Sequence, residues 1–109
     1  MSVPSINEVR LVGRVSGVTQ STLPSGDEIV TFRVVTDRLA SQRGPSGRVM
    51  VDTLDCVAFA AAVRRKAATL ADGDWVEVAG ALRRRFWRGT SGAASRTEVE
   101  VRRVSRARP

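Results

Sequence analysis

The sequence predicts an all-β fold with one helix: five strands rolled into a small barrel. Three observations carry that reading. Apolar and polar residues alternate in five separate segments, the pattern of half-buried strands. One alanine-rich segment, between the third and fourth of these, switches to helical period. Polar stretches bearing glycine or proline separate the segments, as turns require.

Val9, Leu11, Gly13 and Val15 alternate with Arg10, Val12 and Arg14, giving the first strand. Leu23-Pro24-Ser25-Gly26-Asp27 makes a turn. Ile29 to Thr36 is a β-branched run around Phe32 and forms the second strand. Ser41 to Arg48 is a polar loop. Val49 to Ala58 is the third strand, with Asp52 and Asp55 toward solvent. From Phe59 to Ala71 the period changes. Phe59, Val63, Ala67 and Leu70 share one helical face, with Arg64, Arg65 and Lys66 largely opposite. Alanine favours the helix, and Asp72-Gly73 ends it. Trp75 to Trp87 is the fourth strand, Gly89 to Ser95 a flexible hairpin loop, and Thr97 to Val104 the fifth strand. Three strands, a helix and two strands are the layout of an OB-fold, a partly open Greek-key barrel whose helix plugs one end. Gly13 and Gly80 suit bulges where such strands bend sharply. The expected domain is 1–105, with 106–109 as a short basic tail.

Composition narrows the function. With 109 residues the chain has room for one small core, which oligomerisation would help. Net charge is +7, and Lys66 is the single lysine. Arginines crowd the stretch from Arg83 to Arg108 against Glu98 and Glu100. A clustered positive field points to nucleic acid or another anionic surface. There is no histidine, and Cys56 is the one cysteine. Histidine acid–base catalysis and His/Cys zinc sites are thereby excluded. Asp52 and Asp55 lack the third acid that a metal site needs, so no enzyme activity, metal or cofactor is expected. Neither a signal peptide nor a membrane-spanning run is apparent, and a cytoplasmic, nucleoid-associated protein with no membrane partner is expected.

The most informative segment is Gly80-Ala81-Leu82-Arg83-Arg84-Arg85-Phe86-Trp87-Arg88. Val76, Val78, Gly80 and Leu82 face one way; Ala81, Arg83, Arg85 and Trp87 face the other. Arginine meets phosphate by charge and bidentate hydrogen bonds. An exposed indole offers an unpaired base a stacking surface. Arg14 and Arg33 lie on strands that line the barrel face, where they could add phosphate contacts. Trp75 reads as an interface or core-lid residue, and Phe86 as packing under the hairpin.

Four stretches, in order, resemble the bacterial single-stranded DNA-binding protein family. Asn7 to Val15 resembles its opening strand. Leu23-Pro24-Ser25-Gly26 and Val30 to Thr36 resemble its turn and second strand. Cys56-Val57-Ala58-Phe59 resembles the strand end before the helix. Asp72 to Trp87 resembles the segment written KG-x-x-V-x-V-x-G-x-L, ending in tryptophan. The resemblance implies an OB-fold homotetramer, or a dimer, that binds single-stranded DNA in replication, recombination or repair. It assigns stacking to Trp87 and Phe59, and phosphate contact to Arg83, Arg85, Arg88, Arg14 and Arg33. Two further platform tryptophans of the family fall near Ala40 and on Thr53. The family's acidic tip has no counterpart in Arg106-Ala107-Arg108-Pro109, so recruitment of repair enzymes by such a tail is not expected. Two alternatives stay open: a primosome-type OB accessory protein bridging single strands and restart proteins, and an OB-fold protein-interaction module.

Overall fold

A computed structural model describes residues 2–90 and 92–108. The elements are β1 (Val9–Thr22), β2 (Glu28–Asp37), a short 3-10 turn (Ala40–Gln42), β3 (Val51–Ala58), α1 (Ala61–Ala68), β4 (Trp75–Gly89) and β5 (Gly92–Arg106). The strands close into a barrel in the order β1-β2-β3-β5-β4. Every neighbour pair is antiparallel except β3 with β5, which meet in parallel at Cys56↔Val99 and Val57↔Glu100. The expected barrel is present, and it is closed rather than partly open.

The alternation read from the sequence places the core. Val30, Phe32 and Val34 of β2, Cys56 and Ala58 of β3, Val76 and Val78 of β4, and Val99, Val101 and Val104 of β5 meet inside. Each such side chain contributes about 1.5–3 kcal/mol by leaving water. Ala67 and Leu70 plug one end of the barrel, with Val63 packed beside them. The helix is shorter than its period suggested. Thr69 and Leu70 donate to Lys66 and Ala67 three residues back, so the last turn tightens before Gly73.

Two strands outrun their expected limits, each for a local reason. The β1–β2 register shifts between Ser16 and Thr19, around Gly17, and β1 then continues to Thr22. That bulge breaks the period and hid the second half of the strand. The segment Gly89–Ser95, expected to be a loop, is mostly ladder: Ala93, Ala94 and Ser95 pair with Arg88, Trp87 and Phe86. Gly92, at φ 117°, turns the chain at the tip, next to residue 91, which lies outside the described residues. Small residues opposite bulky ones carry little strand signal of their own. β5 also runs through Arg106, one residue into the expected tail.

Gly80 does sit at a bulge. Ala79 faces Arg103 while Gly80 faces Val101, so Arg102 is the extra residue, on β5. A methyl group on Gly80 would overlap the Glu100 carbonyl. Gly13 lies in regular register and is needed because β1 passes against the Val35 carbonyl. Beyond Gly80, β4 leaves β1 and runs on as a two-stranded ribbon with β5. Asn7 fastens the root of this ribbon, donating to the Leu82 carbonyl and accepting from its N–H, each at 2.8 Å.

Cys56 predicts an alkaline limit to stability. Burial first, then Asp55 and Glu98, push its thiol from 9.0 up to about 12. The unfolded chain ionises this group above pH 9.0 and the folded chain does not. Stability is therefore full below that value and declines above it, by at most about 1.4 kcal/mol per pH unit. Chemical denaturation between about pH 8 and 11 should show this slope, and Cys56→Ala should remove it. An identical slope in both proteins would mean that the thiol is not shielded. On the acid side, Arg14, Arg38 and Arg10 hold Asp37, Asp52 and Glu77 below the usual carboxylate range, chiefly by hydrogen bonds. Their contribution is present at neutral pH and lost as pH falls through those depressed values. It is small, because the pairs are exposed.

Candidate nucleic-acid interface

The side chains that leave the core on β4 form the floor of an outer surface. The parity that buries Val76 and Val78 turns Arg83, Arg85 and Trp87 outward. Trp87 is 46% exposed. Its indole borders a groove of about 500 Å³ between the ribbon and the β1–β2 turn. Leu23, Pro24 and Ser25 form one wall; Arg85, Phe86, Arg88 and Arg96 form the other. The turn is set by a Gly26 N–H donating to the Leu23 carbonyl at 2.8 Å, and Ser25 donates to Asp27.

Arg85 lies directly opposite Arg96 across the ribbon. Like charges facing each other on an antiparallel pair destabilise it. A phosphate between them would relieve the repulsion. Arg85 also reaches back to Glu98 at 2.8 Å, and Arg83 to Glu100 at 3.7 Å. Both carboxylates border a second cavity of about 200 Å³, together with Val57 and Phe59. Phe59 precedes the helix instead of beginning it, and is only partly buried. Arg64 donates to its carbonyl and approaches Glu28 at 3.4 Å, which fastens this corner. Arg64 is thus a tether rather than part of a solvated run, whereas Arg65 and Lys66 are exposed.

Arg33 reaches the same surface from β2. It shares a small cavity of about 90 Å³ with Arg96, Asp55 and Glu98. Its guanidinium fills the space that a side chain at residue 17 would take, and Gly17 has φ 66°. The β1 bulge therefore makes room for Arg33. Arg14 is not brought to this group. It lies at the start of β4, donates twice to Asp37 at 3.0 Å, and stands 5.3 Å over the Trp75 ring. Trp75 is partly buried beneath it.

Other expectations need correction. Phe86 does not pack under the hairpin: it is 70% exposed, with the Arg84 guanidinium 6.0 Å from its ring. The ribbon has no core of its own to receive it. Thr53, a family platform position, is exposed on β3, and Ala40 lies in the 3-10 turn. Arg96 was missed. Its importance comes from its place opposite Arg85, and the expected loop concealed that register. No metal-binding group of acidic, cysteine or histidine side chains occurs among the described residues. No helix is long and apolar enough to cross a membrane.

A closed five-stranded barrel with an aromatic, arginine-rich outer groove defines an OB-fold nucleic-acid-binding protein. The model of the single-strand binding protein family matches residues 6–107, and the chain belongs to that family, a non-enzymatic group that binds single-stranded DNA. A solved structure of Plasmodium falciparum SSB complexed with single-stranded DNA is similar over 99% of this chain and 100% of that chain. Its TM-score is 0.76 and its identity 22%, a likeness of fold. A search of curated proteins returned no match.

Gly17→Ala should displace Arg33 and strain the bulge, at a cost of about 1 kcal/mol or more in stability. If Arg33 contacts DNA, this variant and Arg33→Ala should weaken single-strand binding alike, and the double variant no further. Additive losses would show that the two residues act separately.

Proposed function

We propose that this chain coats and protects single-stranded DNA by arginine–phosphate contact and aromatic stacking, without dependence on an exact sequence. Arg33, Arg83, Arg85, Arg88 and Arg96 supply the charge, and Trp87 and Phe59 the stacking surfaces. The observation that carries this reading is the exposed Trp87 indole in a groove flanked by Arg85, Arg88 and Arg96. Flat rings and negative charge occur together in an unpaired nucleic-acid strand, and the groove offers a partner to each. A double helix hides its base faces and would leave the indole unused. The barrel acts as one binding domain in replication, recombination or repair.

A fluorescence titration with oligo(dT) tests this. Trp87 should be quenched, and Trp87→Ala should lose most of the quenching and about 1–3 kcal/mol of affinity while folding normally. With five phosphates neutralised, log affinity should fall against log salt with a slope of about −3.5. Unchanged affinity in the variant would remove the stacking role. A slope near zero would favour a protein-interaction module instead.

Self-association is part of the same proposal. From Val9 to Gly13, β1 pairs only with β4, because its ladder with β2 begins at Arg14. The other edge is open to a second copy, and Val12 is 44% exposed beside it. Light scattering at micromolar concentration should give a dimer or tetramer. A monomeric mass would refute this.

A further inference from the structure

The cavity beside Phe59 holds an arrangement that phosphate binding does not explain. Glu98 and Glu100 line it together with Arg83, Arg84 and Arg85. A carboxylate repels phosphate, so a cavity built for phosphate alone has no use for two of them. Glu98 is, moreover, only 3% exposed, and a charge so buried is costly unless paired and hydrogen-bonded. Its Oε1 lies 2.8 Å from Nε of Arg85. Yet that nitrogen is buried without a hydrogen-bond partner, so its N–H does not point at the oxygen. The pair attracts by charge and leaves a donor on Arg85 and acceptor sites on Glu98 unused. Arg83 and Glu100, at 3.7 Å, are also beyond hydrogen-bond reach.

Unused acceptors and donors beside an aromatic ring match the edge of a base. Guanine fits best. Its N1–H and N2 amino group are adjacent donors for a carboxylate, and its O6 and N7 are adjacent acceptors for an arginine. Cytosine and adenine each offer one amino group. Thymine has none, and its single ring N–H lies between two carbonyl oxygens that a carboxylate repels.

We propose that this cavity is a base subsite that favours guanine over thymine, read by Glu98 and Glu100 with Phe59 as its stacking surface. The proposal rests on the single-strand reading and adds a base preference to it. The preference is limited, because one subsite reads one nucleotide within a longer footprint.

Two strands of equal length test it: oligo(dT), and the same strand with isolated guanines replacing some thymines. The native chain should bind the guanine-bearing strand about five-fold tighter or more. Glu98→Gln and Glu100→Gln should each bring that ratio toward one. Affinity for oligo(dT) should hold or rise in both, because repulsion of phosphate falls. Circular dichroism checks folding, and if the buried Glu98→Gln fails to fold, the exposed Glu100→Gln decides. Equal affinities in the native chain, or a ratio that survives in the folded variants, would overturn the subsite and leave single-strand binding standing. Failure to bind either strand would overturn both.

Discussion

Everything proposed for the outer surface depends on β4 keeping one side-chain parity from Val76 to Trp87. The same alternation that buries Val76 and Val78 turns Arg83, Arg85 and Trp87 outward. A bulge on β4 itself would have rotated these three into the barrel mouth. The extra residue is Arg102, on the partner strand. β5 therefore absorbs the bend while β4 runs unbroken, and Gly80 allows the close crossing at that point. Core and groove are two faces of one continuous ladder.

The charge distribution is less simple than a net value of +7 implies. Arg10, Arg14, Arg38 and Arg64 are tied to acids in exposed pairs worth little to stability. On the outer surface the pairing differs. Arg85 faces Arg96 across the ribbon, and the nearby acids, Glu98 and Glu100, are not aligned as hydrogen-bond partners in the way that Asp37 is for Arg14. Cations held close together with unspent donors form a surface that gains when an anion arrives. The distinction between structural and available arginines is one of geometry, and composition alone does not reveal it.

The sequence carried the barrel's order and core because alternating valines around Phe32, Val76 and Val99 leave little freedom in which face is buried. It also carried Trp87, whose parity follows from an unbroken strand. It did not carry Arg96, because Ala93, Ala94 and Ser95 look like loop until they are seen opposite Arg88, Trp87 and Phe86. Arg14 looked available for the same kind of reason: its strand position is visible in sequence, while Asp37 and Trp75 as neighbours are not. Local pattern determines a face, whereas cross-strand register determines a partner.

The ribbon beyond Leu82 also explains how binding groups are displayed without weakening the barrel. It has one strand neighbour on each chain, no buried residue from Arg83 to Gly89, and a lateral tie at Asn7. Exposed side chains there remove no contact from the core, so Phe86 and Trp87 can stay in water at a cost borne by the ribbon alone. Such a segment sits at the low end of local stability and gains most from a ligand that bridges it to the barrel. Arg85 and Arg96 root the groove in the ribbon, Leu23 to Ser25 root it in the barrel, and a strand lying between them would couple the two. Ordering of the ribbon and capture of the ligand then become one event.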